Sequence, residues 1–179
     1  MKLKRTLIFV TLLIFSLIIS CGVFLQQKIK FNIEFAFEPT NNLPTSIKMY
    51  NLIEGKSEEY NIPKHILYNI AWLETRYAGP FDWKYNPYIT SRAGAEGAMQ
   101  VMLISANSVS DRYISNEELK NDLELNIDIS CKKLKKLYEM YGEWDKVLGC
   151  YNTGSPIING YANYGSSNKD YISNWIRPN

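Results

Sequence analysis

The sequence predicts a mainly α-helical domain behind an N-terminal export segment, and three observations predict it. From about Tyr60 onward apolar residues recur at helical spacing. In IPKHILYNIAWLETRY (62–77), Ile66, Leu67, Ile70, Leu73 and Tyr77 share one face at roughly 100° per residue. An alternating, strand-like pattern is found at Lys28–Glu38, with no convincing second segment to pair with it. The chain opens with three basic side chains and continues as an uncharged apolar run.

The chain has 179 residues, enough for one ordinary domain and its leader. It is 46% hydrophobic and 13% aromatic, with 13 tyrosines, which suits a compact core. The net charge of +2 comes from the leader: without residues 1–20, which hold Lys2, Lys4 and Arg5 and no acid, 17 basic side chains stand against 18 acidic ones. A near-neutral chain with no basic stripe and no zinc-type Cys/His spacing offers nothing to nucleic acid.

MKLKR followed by apolar Leu7–Ile19 reads as a targeting segment over residues 1–20. IISC (18–21) resembles the lipobox of bacterial lipoproteins, which would make Cys21 the lipidated first residue of the mature chain. Gly22 behind it, in place of aspartate, points to outer-membrane sorting. Thr6–Leu25 is also an uncharged run of 20 residues, long enough for an uncleaved transmembrane anchor. Both readings put residues 26–179 on the far side of a membrane, in the cell envelope.

Residues 21–57 read as a tether that includes the strand pattern and the turn-rich PTNNLPTS (39–46). The domain is expected over 58–179. Pro63 suits the first turn of a helix, which runs to about Tyr77 and stops at AGP. Residues 78–93 form a loop rich in rings: Phe81, Trp83, Tyr85 and Tyr88. AEGAMQVMLISANSVS (95–110) reads as a second helix. NEELKNDLELNIDISCKKLKKLYEMYG (116–142) reads as a long third, capped by Ser115 or Asn116 and stopped by Gly142. EWDKVLGCYN (143–152) is a fourth, and Ser167–Ile176 a fifth. Cys131 and Cys150 fall on separate helices. In an exported domain a disulfide and two buried thiols are both open.

Glu74 falls on the apolar face of the first helix, among Leu67, Ile70 and Tyr77. One reading is a boundary glutamate with its head in water or on an arginine, since glutamates are rarely buried unless paired. The other is a catalytic acid, because burial raises a carboxyl's pKa and lets it hold a proton near neutral pH. What the chain lacks narrows the chemistry. His65 is its one histidine and lies on the polar side of the helix, so a Ser/His/Asp triad has no base. There is no P-loop and no paired-histidine metal motif. Carboxylates and tyrosines must do any catalytic work.

Three blocks then matter together: LETRY (73–77), SRAGAEGAMQVM (91–102) and CYNTGSPIINGY (150–161). In this order and at these intervals they resemble the catalytic domain of the soluble lytic transglycosylases (SLT), which shares its fold with goose-type lysozyme. The family's pattern is Glu-Ser-x-Phe, then Ser-x-x-Gly-Ala-x-Gly-Leu-Met-Gln-x-Met-Pro, an Asn-led helix, and Ala-Tyr-Asn-Ala-Gly. Glu74 to Tyr77 fits the first block. Ser91, Gly94, Ala95, Gly97, Met99, Gln100 and Met102 fit the second, Asn126 and Leu134 the third, and Tyr151, Asn152 and Gly154 the fourth. The likeness spans about residues 58–176. Thr75, Ala98, Leu103 and Thr153 depart from the pattern, and AGPFDWK (78–84) reads as an insertion whose rings either stack on sugars or tuck over the core.

The resemblance implies a mainly α, lysozyme-like fold and peptidoglycan glycan strands as substrate, with no metal and no cofactor. It implies cleavage between N-acetylmuramyl and N-acetylglucosamine residues, forming a 1,6-anhydromuramyl end. Glu74 would act as single acid and base, and Tyr151 would position it or the substrate. Ser91 and Gln100 would hydrogen-bond sugars. Met99 would line the cleft or fill core, and Asn152 would bind substrate or close its helix. The expected unit is a monomer, tied to the membrane by its N-terminal segment. Two other readings stand beside this one. The first is a goose-type hydrolase with Asp82 or Glu96 as second carboxylate. The second is a silent peptidoglycan-binding lipoprotein.

Overall fold

The computed structural model describes residues 43–175, a mainly helical domain with one small antiparallel hairpin. Residues 1–42, which include Cys21 and the strand pattern at 28–38, lie outside the described residues. Helix α1 (Thr45–Tyr60) corrects the boundary expected between tether and domain at residue 58. Its Met49 and Ile53 are fully buried in the common core, and Tyr77 Oη donates to the Ser46 carbonyl at 2.7 Å. The helix hides in the sequence because its buried positions are Ser46, Met49, Ile53 and Ser57. Two serines dilute the apolar stripe on which an amphipathic helix is recognised.

Helix α2 (Lys64–Thr75) starts behind Pro63 and ends where Arg76 turns left-handed at φ 60°. Ile66, Leu67 and Ile70 are fully buried, whereas Leu73 is partly exposed. The left-handed residue sends Tyr77 back into the core, where its ring meets Tyr85 at 4.8 Å between centroids.

The second helix expected at 95–110 is not formed. Its place is taken by β1 (Ala95–Glu96), β2 (Val101–Met102) and a short α3 (Leu103–Asn107). Gly97 at φ 74° and Gln100 at φ 48° are left-handed, which a helix does not tolerate in its interior. The buried side chain of Asn126 holds this turn. Its Nδ2 donates to the carbonyls of Glu96 (2.8 Å) and Leu119 (2.9 Å), and its Oδ1 accepts from Met99 N at 2.8 Å. A Cβ on Gly97 would stand 2.5 Å from Asn126 Nδ2, so the amide and the glycine require each other.

The long third helix is two: α4 (Asn116–Asn121) and α5 (Leu123–Tyr141). Asp122 breaks it by ending one and capping the other, its carboxylate accepting from Leu125 N at 2.9 Å. Ser115 and Glu118 form the capping box of α4, and Gly142 ends α5. Lys56 and Tyr60 both bond to Asp128 at 2.8 Å and tie α1 to α5. Helix α6 (Trp144–Thr153) follows as expected. The fifth helix expected at Ser167–Ile176 is not formed: α7 lies before it, over Gly160–Ser167, and Tyr171–Trp175 is a 3₁₀ turn. Asn159 starts α7 by accepting from Ala162 N at 2.9 Å. Gly149 and Gly165 let this end of the chain close on α6. A Cβ on Gly149 would lie 2.3 Å from the Ile157 carbonyl, and one on Gly165 would lie 2.6 Å from Leu148 Cδ1. Cys131 and Cys150 are both buried free thiols.

Candidate active site

Glu74 sits in the last turn of α2, half-buried. Its Oε1 accepts a hydrogen bond from the Tyr161 hydroxyl at 2.7 Å. Burial pushes the Glu74 pKa above the usual carboxylate range, although the Tyr161 bond and the Lys133 cation pull the other way. The Tyr161 phenol is raised well above its ordinary value, first by burial and then by the charge of Glu74. It therefore keeps its proton and remains the donor. The neighbouring Thr75 clamps this end of α2, its Oγ1 lying 2.9 Å from both the Ala98 carbonyl and the Tyr85 hydroxyl.

The expected site residues divide. Tyr151 is buried, and its hydroxyl donates to the Met99 carbonyl at 2.7 Å, with Ser130 Oγ 3.2 Å away. Its phenol is raised first by burial and next by Glu74, yet the phenol bonded to Glu74 is Tyr161. Met99 is fully buried, so the core-filling alternative is the one realised, and the methionines at the cleft are Met102 and Met140. Ser91 Oγ accepts from Ala95 N at 2.9 Å and shapes the turn before β1. Gln100 Nε2 donates to the Gly97 carbonyl at 2.8 Å while the residue stays partly exposed. Asn152 is exposed and accepts from Asn159 Nδ2 at 3.2 Å. Among the second-carboxylate candidates, Glu96 is buried and accepts from Thr90 Oγ1 at 2.6 Å, and Asp82 accepts from the Lys84 amide at 3.3 Å. Neither is among the groups that shift Glu74.

Beside these residues opens a cleft of about 520 Å³, walled by α3, α5 and α6. Tyr151, Asn152, Met102 and Lys133 line it; Glu74 does not. Lys133 is the link between the two. Its Nζ lies 4.3 Å over the Tyr151 ring and donates to the Tyr151 carbonyl at 3.3 Å. Burial lowers the Lys133 pKa, and Glu74 partly restores it. Among the described residues no group of three His, Cys, Asp or Glu side chains is placed to hold a metal ion.

A family model described as Transglycosylase SLT domain matches residues 51–174. The chain belongs to the transglycosylase SLT family. No curated protein and no solved structure matches it. The SLT match begins inside α1, in keeping with the burial of that helix. Two polar residues that act on Glu74 were not legible as such in the sequence. Tyr161 was legible only through Asn159, a capping residue that starts α7 two positions before it. Lys133 belongs to a polar stripe on the inner face of α5. Asn126, Ser130 and Lys133 follow at helical spacing, and the first two are fully buried.

Proposed function

We propose that this SLT domain is a peptidoglycan lytic transglycosylase that cleaves the N-acetylmuramyl–N-acetylglucosamine bond, with Glu74 as its single acid and base on a lysozyme-like helical scaffold. The observation that carries this reading is the Glu74 carboxyl itself. It is raised by burial and held on one oxygen by Tyr161, in a chain of the SLT family. Tyr161 is its one hydrogen-bond partner among the described residues, which leaves Oε2 for the substrate.

The protonated carboxyl gives its proton to the glycosidic oxygen as the C1–O bond breaks, so the leaving sugar departs as an alcohol. The resulting carboxylate takes the proton of the muramyl C6 hydroxyl as that oxygen bonds to C1. The 1,6-anhydro ring closes, Glu74 is protonated again and no water is consumed. Most glycosidases need two carboxylates. Here neither Glu96 nor Asp82 is among the groups that act on Glu74, and this supports a single-acid mechanism over hydrolysis. Gln100, Ser91 and Asn152 are proposed as glycan contacts because each is at least partly exposed.

Mass spectrometry of products released from purified peptidoglycan tests the reading, with the Glu74→Gln variant beside the wild type. Anhydromuramyl ends that vanish in the variant are expected. Reducing ends would replace the transglycosylase by a hydrolase, and binding without products would mean a silent module. We further propose that residues 1–20 direct the domain into the cell envelope and that Cys21, lipidated as the first residue of the mature chain, holds it there. Metabolic labelling with a radioactive fatty acid should mark the wild type and not Cys21→Ala.

A further inference from the structure

The cleft beside Glu74 is lined by twelve residues, and Lys133 alone among them has a charged side chain. The rest are apolar, small or neutral polar, with Met102, Ile104, Leu137 and Met140 along the α3 and α5 sides. Several other lysines on the helices pair with acids: Lys56 and Lys132 with Asp128, Lys64 with Glu54, Lys146 with Glu143. Lys133 forms no ion pair with any described residue. Its one hydrogen bond, to the Tyr151 carbonyl at 3.3 Å, is long, and the ring beneath it at 4.3 Å holds the ammonium in place. A partly buried ammonium has three donors and here has one weak acceptor. Glu74 acts on Lys133 without an ion pair between them; enclosing a cation with no acid in direct contact is costly, so a site of this kind fits an anion brought by the ligand.

Resting on the reading of the substrate as peptidoglycan, we propose that Lys133 recognises a carboxylate on the side arm of the muramyl residue. The sugars themselves are neutral. The muramyl residue alone carries a lactyl ether at O3. Its carboxyl is free in a peptide-less strand and joined to a stem peptide, with carboxylates of its own, in an intact one. Met102, Ile104 and Met140 supply an apolar wall for the hydrocarbon of that arm. N-acetylglucosamine has no such group, so a lone cation distinguishes the two sugars at this position and sets the register of the strand against Glu74.

The test is calorimetric binding to the full-length chain in detergent, in the Glu74→Gln background. That substitution stops turnover and also removes the negative charge that faces Lys133, so changes report recognition and not the ionisation of Glu74. Three ligands are compared: a peptide-bearing muramyl strand, a peptide-free muramyl strand and an N-acetylglucosamine oligomer. Adding Lys133→Met should weaken a muramyl strand about tenfold and the neutral oligomer less than about twofold, while Lys133→Arg should stay within about threefold throughout. Loss confined to the peptide-bearing strand assigns the carboxylate to the stem peptide. Loss on the peptide-free strand assigns it to the lactyl group. Equal weakening of all three ligands by Lys133→Met, or no rescue by Lys133→Arg, would reduce Lys133 to a support for Tyr151 and overturn the proposal, as would no change at all. If the Glu74→Gln chain binds none of the three, the peptidoglycan reading falls and takes this one with it.

Discussion

Glu74 holds two opposed demands at one atom pair. Burial favours its neutral form, while Tyr161 and Lys133 favour its charged form, and burial wins. A general acid must be protonated, so activity should fall as pH rises through the raised pKa. Glu74→Gln should lower kcat by roughly 10²–10⁴-fold, read from product release. Tyr161→Phe removes a bond that lowers the Glu74 pKa, so the basic limb of the pH–rate profile should move to higher pH. An unmoved limb would remove Tyr161 from the mechanism. The same shift has a sign for stability. A carboxyl whose folded pKa lies above its unfolded value contributes stability below the unfolded pKa and loses it as pH rises through the folded one. Glu74→Gln should therefore melt higher than wild type at about pH 8, with the gain vanishing near about pH 4, as thermal melts across pH would show. The Glu74 conflict is legible in the sequence because a carboxylate on an apolar stripe is visible in residue order alone. Tyr161 and Lys133 are not, because their importance lies in contacts across 87 residues for Tyr161 and in the field of Glu74 on another helix for Lys133.

Elements are placed here by single polar or small residues that reach across the chain. Asn126 satisfies Met99 N and the carbonyls of Glu96 and Leu119 from within the core. Asn126→Leu would leave those groups buried without partners and should cost about 3 kcal/mol or more, measured by denaturant unfolding. The hairpin should loosen first. Helix α6 is held differently. Gly149 has the Ile157 carbonyl against it, and the loop that Ile157 belongs to leads into α7 and Tyr161. Gly149→Ala forces that loop outward and should cost about 1–3 kcal/mol, again by unfolding, with activity falling more than stability explains because Tyr161 moves with it. Helices α2 and α6 and the caps at Ser115 and Gly142 follow local rules, which is why they were legible. The segment 95–110 has helix-compatible spacing, but its backbone is decided by Asn126, whose bonds to Met99 and Glu96 reach back 27 and 30 positions. The split of the long helix at Asp122 and the placing of α7 before Ser167, not after it, likewise depend on which side-chain cap the packed chain uses.

At the scale of the whole molecule the domain begins at Leu43 and includes α1. A fragment of residues 43–179 should fold, with helical circular dichroism and a cooperative melt. A fragment of residues 58–179 should not, because it lacks Met49 and Ile53 from the core and Ser46, the acceptor for Tyr77. Cooperative folding of the shorter fragment would return α1 to the tether. By itself the sequence determined the helical class, the family and the place of Glu74 on an apolar stripe. These rest on local periodicity and on a block order that survives without coordinates. Only the tertiary structure decided the membership of α1, the hairpin in place of a helix, the free thiols and the residues that surround Glu74. The physical reason is one of range. Helical spacing and caps are written within a few residues, whereas burial, hydrogen-bond pairing and the field on a carboxyl depend on which distant side chains the fold brings within about 4 Å.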